Sequence, residues 1–159
     1  MRFTLIDRIT SLEPGRRIVA VKNLTLAEEY LADHFPGFPV MPGVLMLEAM
    51  VQAGAWLVRV TDDFRQSMVV LKDARRIKYG QLVDPGRQLT IEVEIEGRQE
   101  HLTELKGKGT LGDKTAVSGR LVLEHYNLGD RDAALAGTDS RVVKRLRELY
   151  SVLQRVEQA

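Results

Sequence analysis

The sequence predicts an α+β domain in which one long apolar helix packs in a curved antiparallel sheet, followed by a C-terminal helical extension. Two observations lead to this prediction. An almost unbroken apolar stretch from Val44 to Val60 is too long for a strand and contains many good helix formers. The segments after it alternate between apolar and polar residues and are joined by turns rather than by helices, which favours antiparallel pairing.

Six strands are predicted around this helix, two before it and four after it. The first two flank the turn Glu13-Pro14-Gly15 as a hairpin, and the later ones are separated by turn signals that include Gly97. The predicted strands cover residues 3–8, 17–22, 67–78, 89–96, 101–110 and 115–125. A buried helix wrapped by such a sheet is the arrangement called the hot dog fold. We assign residues 1–126 to it.

Residues 127–159 form the predicted extension, a polar linker followed by an amphipathic helix. Thr138, Asp139 and Ser140 are candidate N-caps for a helix that runs to about Glu157. Its apolar residues are spaced by four and three positions, a stripe about two heptads long that needs a partner. The stripe consists of Val142, Leu146, Leu149, Leu153 and Val156. Two alternatives stay open at this point, namely packing on the helix's own domain and contact with another subunit.

Composition excludes several classes of function. The chain has 159 residues and a formal net charge of +1, so no global field favours nucleic acid or a membrane surface. It contains no cysteine, which rules out thiolate nucleophiles, disulfides and iron–sulfur sites, and we expect no metal and no cofactor. The charged start lacks the apolar stretch of a signal peptide, and no stable membrane insertion is expected. The sequence therefore predicts a soluble, cytoplasmic protein.

Of the three histidines, His34 is the strongest candidate for a general base. It enters the loop Phe35-Pro36-Gly37-Phe38-Pro39, where proline restricts the backbone and glycine permits close approach, so that the imidazole can be held rigidly. His101 and His125 fall in or beside predicted strands, among ordinary surface neighbours. Surface or structural roles are therefore expected for those two.

The apolar helix contains one carboxylate, Glu48, and one amide, Gln52, between Val44 and Leu57. The two are four positions apart and so lie on one face of the helix. A carboxylate in an apolar helix is costly unless it is paired or functional, and desolvation favours its protonated form. Glu48 is thus a candidate acid, the alternative being a satisfied structural carboxyl group.

The start of this helix is a candidate oxyanion site. Pro42 and Gly43 precede the apolar run, and the first N–H groups of a helix have no partner within it. Because Gly43 has no side chain to block a ligand, its N–H and that of Val44 could hold a developing oxyanion. Taken alone, Pro42-Gly43 would indicate no more than a turn.

These residues lie in the run HFPGFPVMPGVLMLEAMVQA, residues 34–53. The run resembles the signature of the β-hydroxyacyl-acyl-carrier-protein dehydratases of FabZ type in residue order, in spacing and in the intervening Pro and Gly. Weaker similarity extends over most of residues 4–125. The resemblance places the family's histidine at His34 and its glutamate at Glu48.

The resemblance implies dehydration of a (3R)-3-hydroxyacyl chain, carried as a thioester on acyl carrier protein, to the trans-2-enoyl product in fatty acid biosynthesis. His34 would remove the proton beside the carbonyl, Gly43 N–H would stabilise the enolate-like oxygen, Glu48 would protonate the leaving hydroxyl, and Gln52 would orient Glu48. In this family the loop histidine and the helix glutamate meet across a subunit interface. A homodimer is therefore the expected minimal unit, commonly assembled as a trimer of dimers.

Several alternative functions compete with this interpretation. The related dehydratase that also isomerises the double bond usually has Asp where this chain has Glu48. Enoyl-CoA hydratases of hot dog type usually present Asp before His, and hot dog thioesterases lack the HFP loop. A noncatalytic dehydratase-like subunit that binds acyl carrier protein or acts as a scaffold is the alternative from another class.

The near-zero net charge conceals a local basic cluster in the predicted strand 67–78. Lys72, Arg75, Arg76 and Lys78 are opposed there by Asp73 alone. Acyl carrier proteins are acidic, so this cluster is a candidate docking patch, with a solvated strand face as the alternative.

Overall fold

A computed structural model describes residues 3–154 of the chain. Within that range it contains one six-stranded sheet, two α-helices and three short 3-10 turns. The strands are β1 (Arg8–Glu13), β2 (Arg17–Asn23), β3 (Met68–Tyr79), β4 (Gln88–Gln99), β5 (Leu102–Leu111) and β6 (Lys114–Tyr126), and the helices are α1 (Gly43–Thr61) and α2 (Ala136–Leu153).

The sheet is antiparallel throughout and has the strand order β1-β2-β4-β5-β6-β3. Helix α1 lies across one face and contacts strands β2 to β6. Alternate residues of the strands face this helix and are almost fully buried, as Ile91, Val93, Leu105 and Leu123 illustrate. The predicted α+β architecture, with one helix in an antiparallel sheet, is confirmed.

The first strand is predicted at residues 3–8, but the observed β1 lies about one strand length further along the chain. The observed β1 begins at Arg8 because the turn at residues 14–16 fixes the register of the hairpin and pairs Glu13 with Arg17 directly beside it. Leu5 and Ile6 are nevertheless buried in the core. The segment before β1 is therefore anchored in the core although it does not form a strand.

Strand β4 is longer than the predicted 89–96. Gly97, predicted as a turn, lies inside the strand at a register shift against β5. The outward acidic face of β4 is neutralised by basic residues of neighbouring strands, since Glu92 lies 3.1 Å from Arg17 and 3.4 Å from Lys108. These contacts lower the pKa of Glu92, against the opposing effect of its partial burial.

Helix α1 is less completely buried than its composition predicts. It is the one helix in the described part of the chain that is long and apolar enough to cross a membrane, and its inner residues form the core of the domain. Its outer face carries Val44, Glu48 and Gln52 at successive spacings of four residues. Val44 is 67% exposed and the two polar residues are half-buried. A single chain thus leaves this face partly open.

Helix α2 packs on its own domain, which is one of the two alternatives considered for the extension. Tyr150 stacks against Trp56 with ring centroids 5.9 Å apart and meets the edge of Phe64 at 5.6 Å. The packed positions are Val143, Leu146, Tyr150 and Leu153, whereas Leu149 of the predicted stripe is exposed. Val156 and Glu157 lie outside the described residues.

The predicted caps of this helix are also wrong. Helix α2 begins at Ala136, so Thr138, Asp139 and Ser140 lie within its first turns. The carboxylate of Asp139 instead accepts hydrogen bonds from Ser67 Oγ and from the backbone N–H groups of Leu128 and Gly129. These bonds tie α2 to the linker and to the start of β3. The proposed domain boundary at residue 126 stays a prediction.

Candidate active site

The loop that carries His34 is closed by hydrogen bonds of its own backbone. Phe38 N–H donates to the carbonyl of Phe35 at 3.0 Å, and Phe35 N–H donates back at 3.2 Å. Pro36 and Gly37 form the tip of this turn. Gly37 has φ 79°, the left-handed conformation that a type II turn requires at this position. Proline and glycine in this order therefore determine the shape of the loop.

The imidazole of His34 is fixed by Val40 at the other end of the loop. His34 Nδ1 lies 3.0 Å from the carbonyl oxygen of Val40, whose N–H in turn donates to the carbonyl of His34 at 3.0 Å. Because a carbonyl oxygen can only accept, Nδ1 carries the proton in this contact. Nε2 is then the ring nitrogen that is left to act as a candidate base.

The start of α1 offers two free backbone donors. Leu45 and Met46 both donate to the carbonyl of Pro42, at 2.9 and 3.2 Å, and no side chain caps the helix. Within the described residues, Gly43 and Val44 are left as the N–H groups of the first turn without a partner. These are the two donors that the sequence predicted for an oxyanion.

Glu48 and Gln52 are in direct contact, as their spacing predicts. Gln52 Nε2 donates to Glu48 Oε1 at 3.0 Å and to the carbonyl of Phe3 at 2.9 Å, while Gln52 Oε1 accepts from Leu5 N–H at 2.9 Å. Since Phe3 supplies an acceptor and Leu5 a donor, the orientation of the amide is unambiguous. The other carboxyl oxygen of Glu48, Oε2, has no hydrogen-bond partner among residues 3–154 and could meet a ligand.

The two candidate acid–base groups lie on different elements of the chain. Among the described residues, no hydrogen bond connects His34 with Glu48. The imidazole belongs to the loop before α1, whereas the carboxyl group lies one and a half turns into the helix. Phe35 and Phe38, at the tip of the loop, are more than half exposed.

The remaining histidines separate into one exposed and one buried residue. His101 is exposed near Glu100, as expected. His125 is only 1% exposed, so the expectation of surface neighbours is wrong for it. Its Nε2 lies 3.2 Å from Thr103 Oγ1, and its burial lowers the pKa of the imidazole. His125 and Thr103 both face the core, because they lie on the inward sides of β6 and β5, respectively.

The basic cluster of β3 is part of a larger basic surface that includes residues of other strands. Arg76 and Lys78 line a cleft of about 450 Å³ on the outer face of the sheet. Lys106, Lys108 and Arg120 of β5 and β6 line the same cleft. We call these five residues the basic groove. Arg75, in contrast, is paired with Asp73 and does not line the cleft.

Sequence comparison places these features in a known family. The model of the FabA-like domain matches residues 1–120. The 3-hydroxyacyl-[acyl-carrier-protein] dehydratase FabZ of Pelotomaculum thermopropionicum is 40% identical over 120 residues, which cover 76% of this chain and 86% of the relative. The protein of the same name from Variovorax paradoxus is 43% identical over 125 residues, covering 76% and 82%. The chain belongs to the FabZ-type dehydratases.

Solved structures agree with this FabZ-type assignment at the level of the fold. The dehydratase heterocomplex ApeI:P from Xenorhabdus doucetiae matches with a TM-score of 0.67 and 16% identity, covering 83% of this chain and 89% of that one. The protein PH1136 from Pyrococcus horikoshii matches with a TM-score of 0.59 and 13% identity, covering 76% and 82%. The family match ends at residue 120, before α2 begins.

Sequence reasoning missed three contributors to this FabZ-type site. The backbone of Phe3 and Leu5 fixes Gln52, and only the tertiary structure brings it there. Tyr79, at the end of β3, lies beside Gly43. Lys106 and Lys108 extend the basic groove, and their alternation on β5 was a signal that could have indicated an outward basic face.

Proposed function

We propose that this protein dehydrates (3R)-3-hydroxyacyl chains, carried as thioesters on acyl carrier protein, to the trans-2-enoyl products in fatty acid biosynthesis. The observation that carries the proposal is the combination, in a FabZ-type chain, of an imidazole with a free Nε2 at His34 and a carboxyl group with a free Oε2 at Glu48. His34 is the best candidate base of the three histidines, since His125 is buried in the core and His101 is exposed in the turn between β4 and β5.

The elimination assigns one role to each group. His34 Nε2 takes the proton from the carbon beside the thioester carbonyl, and the electron pair moves towards the carbonyl oxygen. Gly43 N–H, with Val44 N–H beside it, donates to the oxygen as negative charge develops there. The double bond then forms as the carbon–oxygen bond to the hydroxyl breaks, and Glu48 Oε2 supplies the proton that completes the departing water. The proton held by His34 returns to Glu48 through solvent.

Gln52 supports Glu48 rather than the substrate in this proposal. Its amide is fixed by two backbone groups, so its second N–H is always directed at Glu48 Oε1. This leaves Oε2 as the oxygen that protonates the leaving group. The role of Gln52 is therefore positioning.

A turnover assay tests the proposal directly. Purified protein is incubated with (3R)-3-hydroxyacyl-acyl carrier protein, and the enoyl product is followed by mass spectrometry. His34→Ala and Glu48→Gln should each lose nearly all activity, because general acid–base groups contribute about 10²–10⁴-fold. Absence of turnover by the wild type, or full turnover after His34→Ala, would contradict the proposal. Activity confined to CoA thioesters would support the hydratase alternative, and carrier binding without turnover the noncatalytic one.

We also propose that the active unit is a homodimer in which His34 of one subunit works with Glu48 of the other, in an assembly of three such dimers. The exposed apolar side chains Phe35, Phe38 and Val44 support this. Strand β3 is also an edge of the sheet with one side unpaired, and its twelve residues offer a second strand a long pairing surface.

A complementation experiment separates a shared site from one within a chain. Inactive His34→Ala and Glu48→Gln chains are co-expressed with different tags, and the mixed dimer is purified. A shared site leaves each mixed dimer one intact His34–Glu48 pair, so it should recover about half of the wild-type activity per dimer. A site within one chain would leave both pairs broken, and activity would stay at the level of the single variants. Light scattering on the wild type measures the number of subunits.

The basic groove is our proposed docking surface for acyl carrier protein. Within the described residues, Arg76, Lys78 and Lys106 have no carboxylate within 4 Å, so their charge is available to an acidic partner. Lys108 and Arg120 are engaged by Glu92 and Glu96. We further propose that the enzyme is soluble and acts in the cytoplasm, which subcellular fractionation would test.

A further inference from the structure

The ring of Tyr79 lies against the start of α1. A Cβ atom added at Gly43 would lie 3.0 Å from Tyr79 Cε1, 3.2 Å from Cζ and 3.3 Å from Cδ1. These separations are tighter than ordinary van der Waals contact, so a side chain at residue 43 would require the ring to shift by a few tenths of an ångström. The ring therefore borders the first of the two free backbone donors.

The backbone of Tyr79 is held on one side by the sheet. Tyr79 pairs with Val117 at the end of β3, and the next residue, Gly80, donates its N–H to the carbonyl of Ala116 at 2.8 Å. The segment that follows returns to α1, where Met41 N–H donates to the carbonyl of Val83 at 2.8 Å. Both ends of the segment are thus fixed around the helix start.

The ring nevertheless has an open side. Tyr79 is 51% exposed, and its hydroxyl makes no hydrogen bond to other described residues. A large apolar ring that is half exposed gains more from covering a neighbour than from solvent. Because Gly43 lies next to the ring, an acceptor bound to its free N–H would be shielded from water on the side of the ring. Such shielding strengthens a hydrogen bond to a developing charge.

We infer that the Tyr79 ring forms one wall of the carbonyl-binding pocket at Gly43 and positions the substrate thioester there. This inference rests on the proposed function, which places the thioester oxygen on Gly43 N–H. We assign this role to the ring rather than to the hydroxyl, because the Tyr79 atoms nearest to Gly43 are ring carbons. The wall limits the directions from which the carbonyl can approach the donor.

Two substitutions at Tyr79 test the wall. Tyr79→Ala removes the ring and should lower kcat/KM for hydroxyacyl-acyl carrier protein by about tenfold or more, since small misplacements of a reacting group can cost about a hundredfold. Tyr79→Phe keeps the ring and should stay within about twofold of the wild type. Tyr126→Ala is the matched control, because Tyr126 ends β6 as Tyr79 ends β3 but has its ring against Arg131.

A double-mutant cycle with Gly43→Ala distinguishes a substrate wall from a purely structural contact. Gly43→Ala keeps the N–H donor and suits a helix, but its methyl group displaces the ring. It should therefore lower kcat/KM, and the two losses should not multiply in the double variant, because the ring that the methyl group displaces is already absent there. Unfolding temperature and elution volume are measured for each variant to establish that it is folded.

Several outcomes would overturn the inference. Losses that multiply in the double variant would show that Gly43 and Tyr79 act independently. Unchanged kcat/KM after Tyr79→Ala, with or without a lower unfolding temperature, would leave the ring a structural role only. An equal loss in Tyr79→Phe would assign the effect to the hydroxyl. Because every value is referred to the wild type, failure of the proposed function is seen separately, as absence of wild-type turnover.

Discussion

Gln52 and Glu48 form a hydrogen bond of 3.0 Å along one face of α1, and the backbone of residues 3–5 fixes the donor. The segment before β1 therefore acts on the candidate acid through one amide. This segment is not a strand of the sheet, and its side chains Leu5 and Ile6 are buried in the core. Two predictions follow from residues at the site and two from the surrounding fold.

Replacing Gln52 should impair turnover more than substrate binding. Gln52→Leu removes both N–H donors, so Glu48 loses the contact that fixes Oε1, and kcat should fall by about tenfold, part of the ~10²–10⁴-fold that a general acid contributes. KM should change little, because Gln52 does not contact the substrate in this proposal. Steady-state kinetics on hydroxyacyl-acyl carrier protein measure both values.

The isosteric Gln52→Glu should be at least as impaired as Gln52→Leu, since a carboxylate cannot donate to Glu48 or to Phe3. Gln88→Leu is the control, because Gln88 is a glutamine on the exposed side of the sheet that bonds only to Asn23. A rise in KM with unchanged kcat would instead make Gln52 a substrate-binding residue.

Charge reversal in the basic groove should weaken carrier recognition without affecting chemistry. Arg76→Glu together with Lys78→Glu should raise KM for acyl carrier protein by about tenfold at low salt and less at high salt, because screening reduces such interactions. kcat should be preserved. Arg141→Glu with Lys144→Glu, two exposed positions on α2, is the control of equal charge change. Unchanged KM at low salt would place the docking surface elsewhere.

Acid should destabilise the fold through His125. Burial lowers the pKa of this imidazole, so below its ordinary value of 6.5 the unfolded chain binds a proton that the folded chain resists. Stability is then complete above that value and falls as the pH drops below it, by at most about 1.4 kcal/mol per pH unit, until the folded imidazole is protonated. Urea unfolding between neutral pH and pH 5 measures this dependence.

His125→Gln should flatten this part of the stability profile, since glutamine can still bond to Thr103 but does not titrate. His101→Gln is the control, because His101 is exposed and should leave the profile unchanged. A slope that persists in His125→Gln would assign the acid sensitivity to another group.

Asp139 should control the attachment of α2. Hydrogen bonds from Ser67 and from the N–H groups of Gly129 and Leu128 lower the pKa of this carboxyl group, so its contribution to stability is present above its ordinary value and is lost as acid protonates it. Asp139→Asn should increase hydrogen exchange in α2 and the linker while β4 and β5 stay protected. Ser67→Ala should give a smaller change in the same region. Uniform acceleration across the sheet would contradict a local role.

The architecture was predictable because local patterns encode it. The apolar run defines α1 to within one residue at each end, and alternation places β5 and β6 almost as well. His34, Gly43 and Glu48 stand out by residue type in an otherwise apolar segment. The contact of Gln52 with Glu48 follows from helical spacing alone.

The errors occur where a tertiary contact overrides a local signal. Asp139 is a good N-cap by residue type, but its carboxylate accepts hydrogen bonds from Ser67 and from the linker backbone instead. The helix starts three residues earlier, at Ala136. In the stripe on α2, Leu146 and Leu153 pack as predicted, but Tyr150 replaces Leu149 because its ring packs against Trp56 and Phe64. Gly97 indicates a turn, yet β5 continues to pair beyond it.

The sequence by itself determined the α+β fold, the family and the residues of the proposed chemistry, because these depend on periodicity and on the order of a short motif. Only the tertiary structure decided which nitrogen of His34 is free, which oxygen of Glu48 is free, and that Tyr79 borders Gly43. The physical reason is that hydrogen bonds and ring contacts join residues far apart in the chain. Their directions are set when the sheet and helix pack together, which no local pattern records.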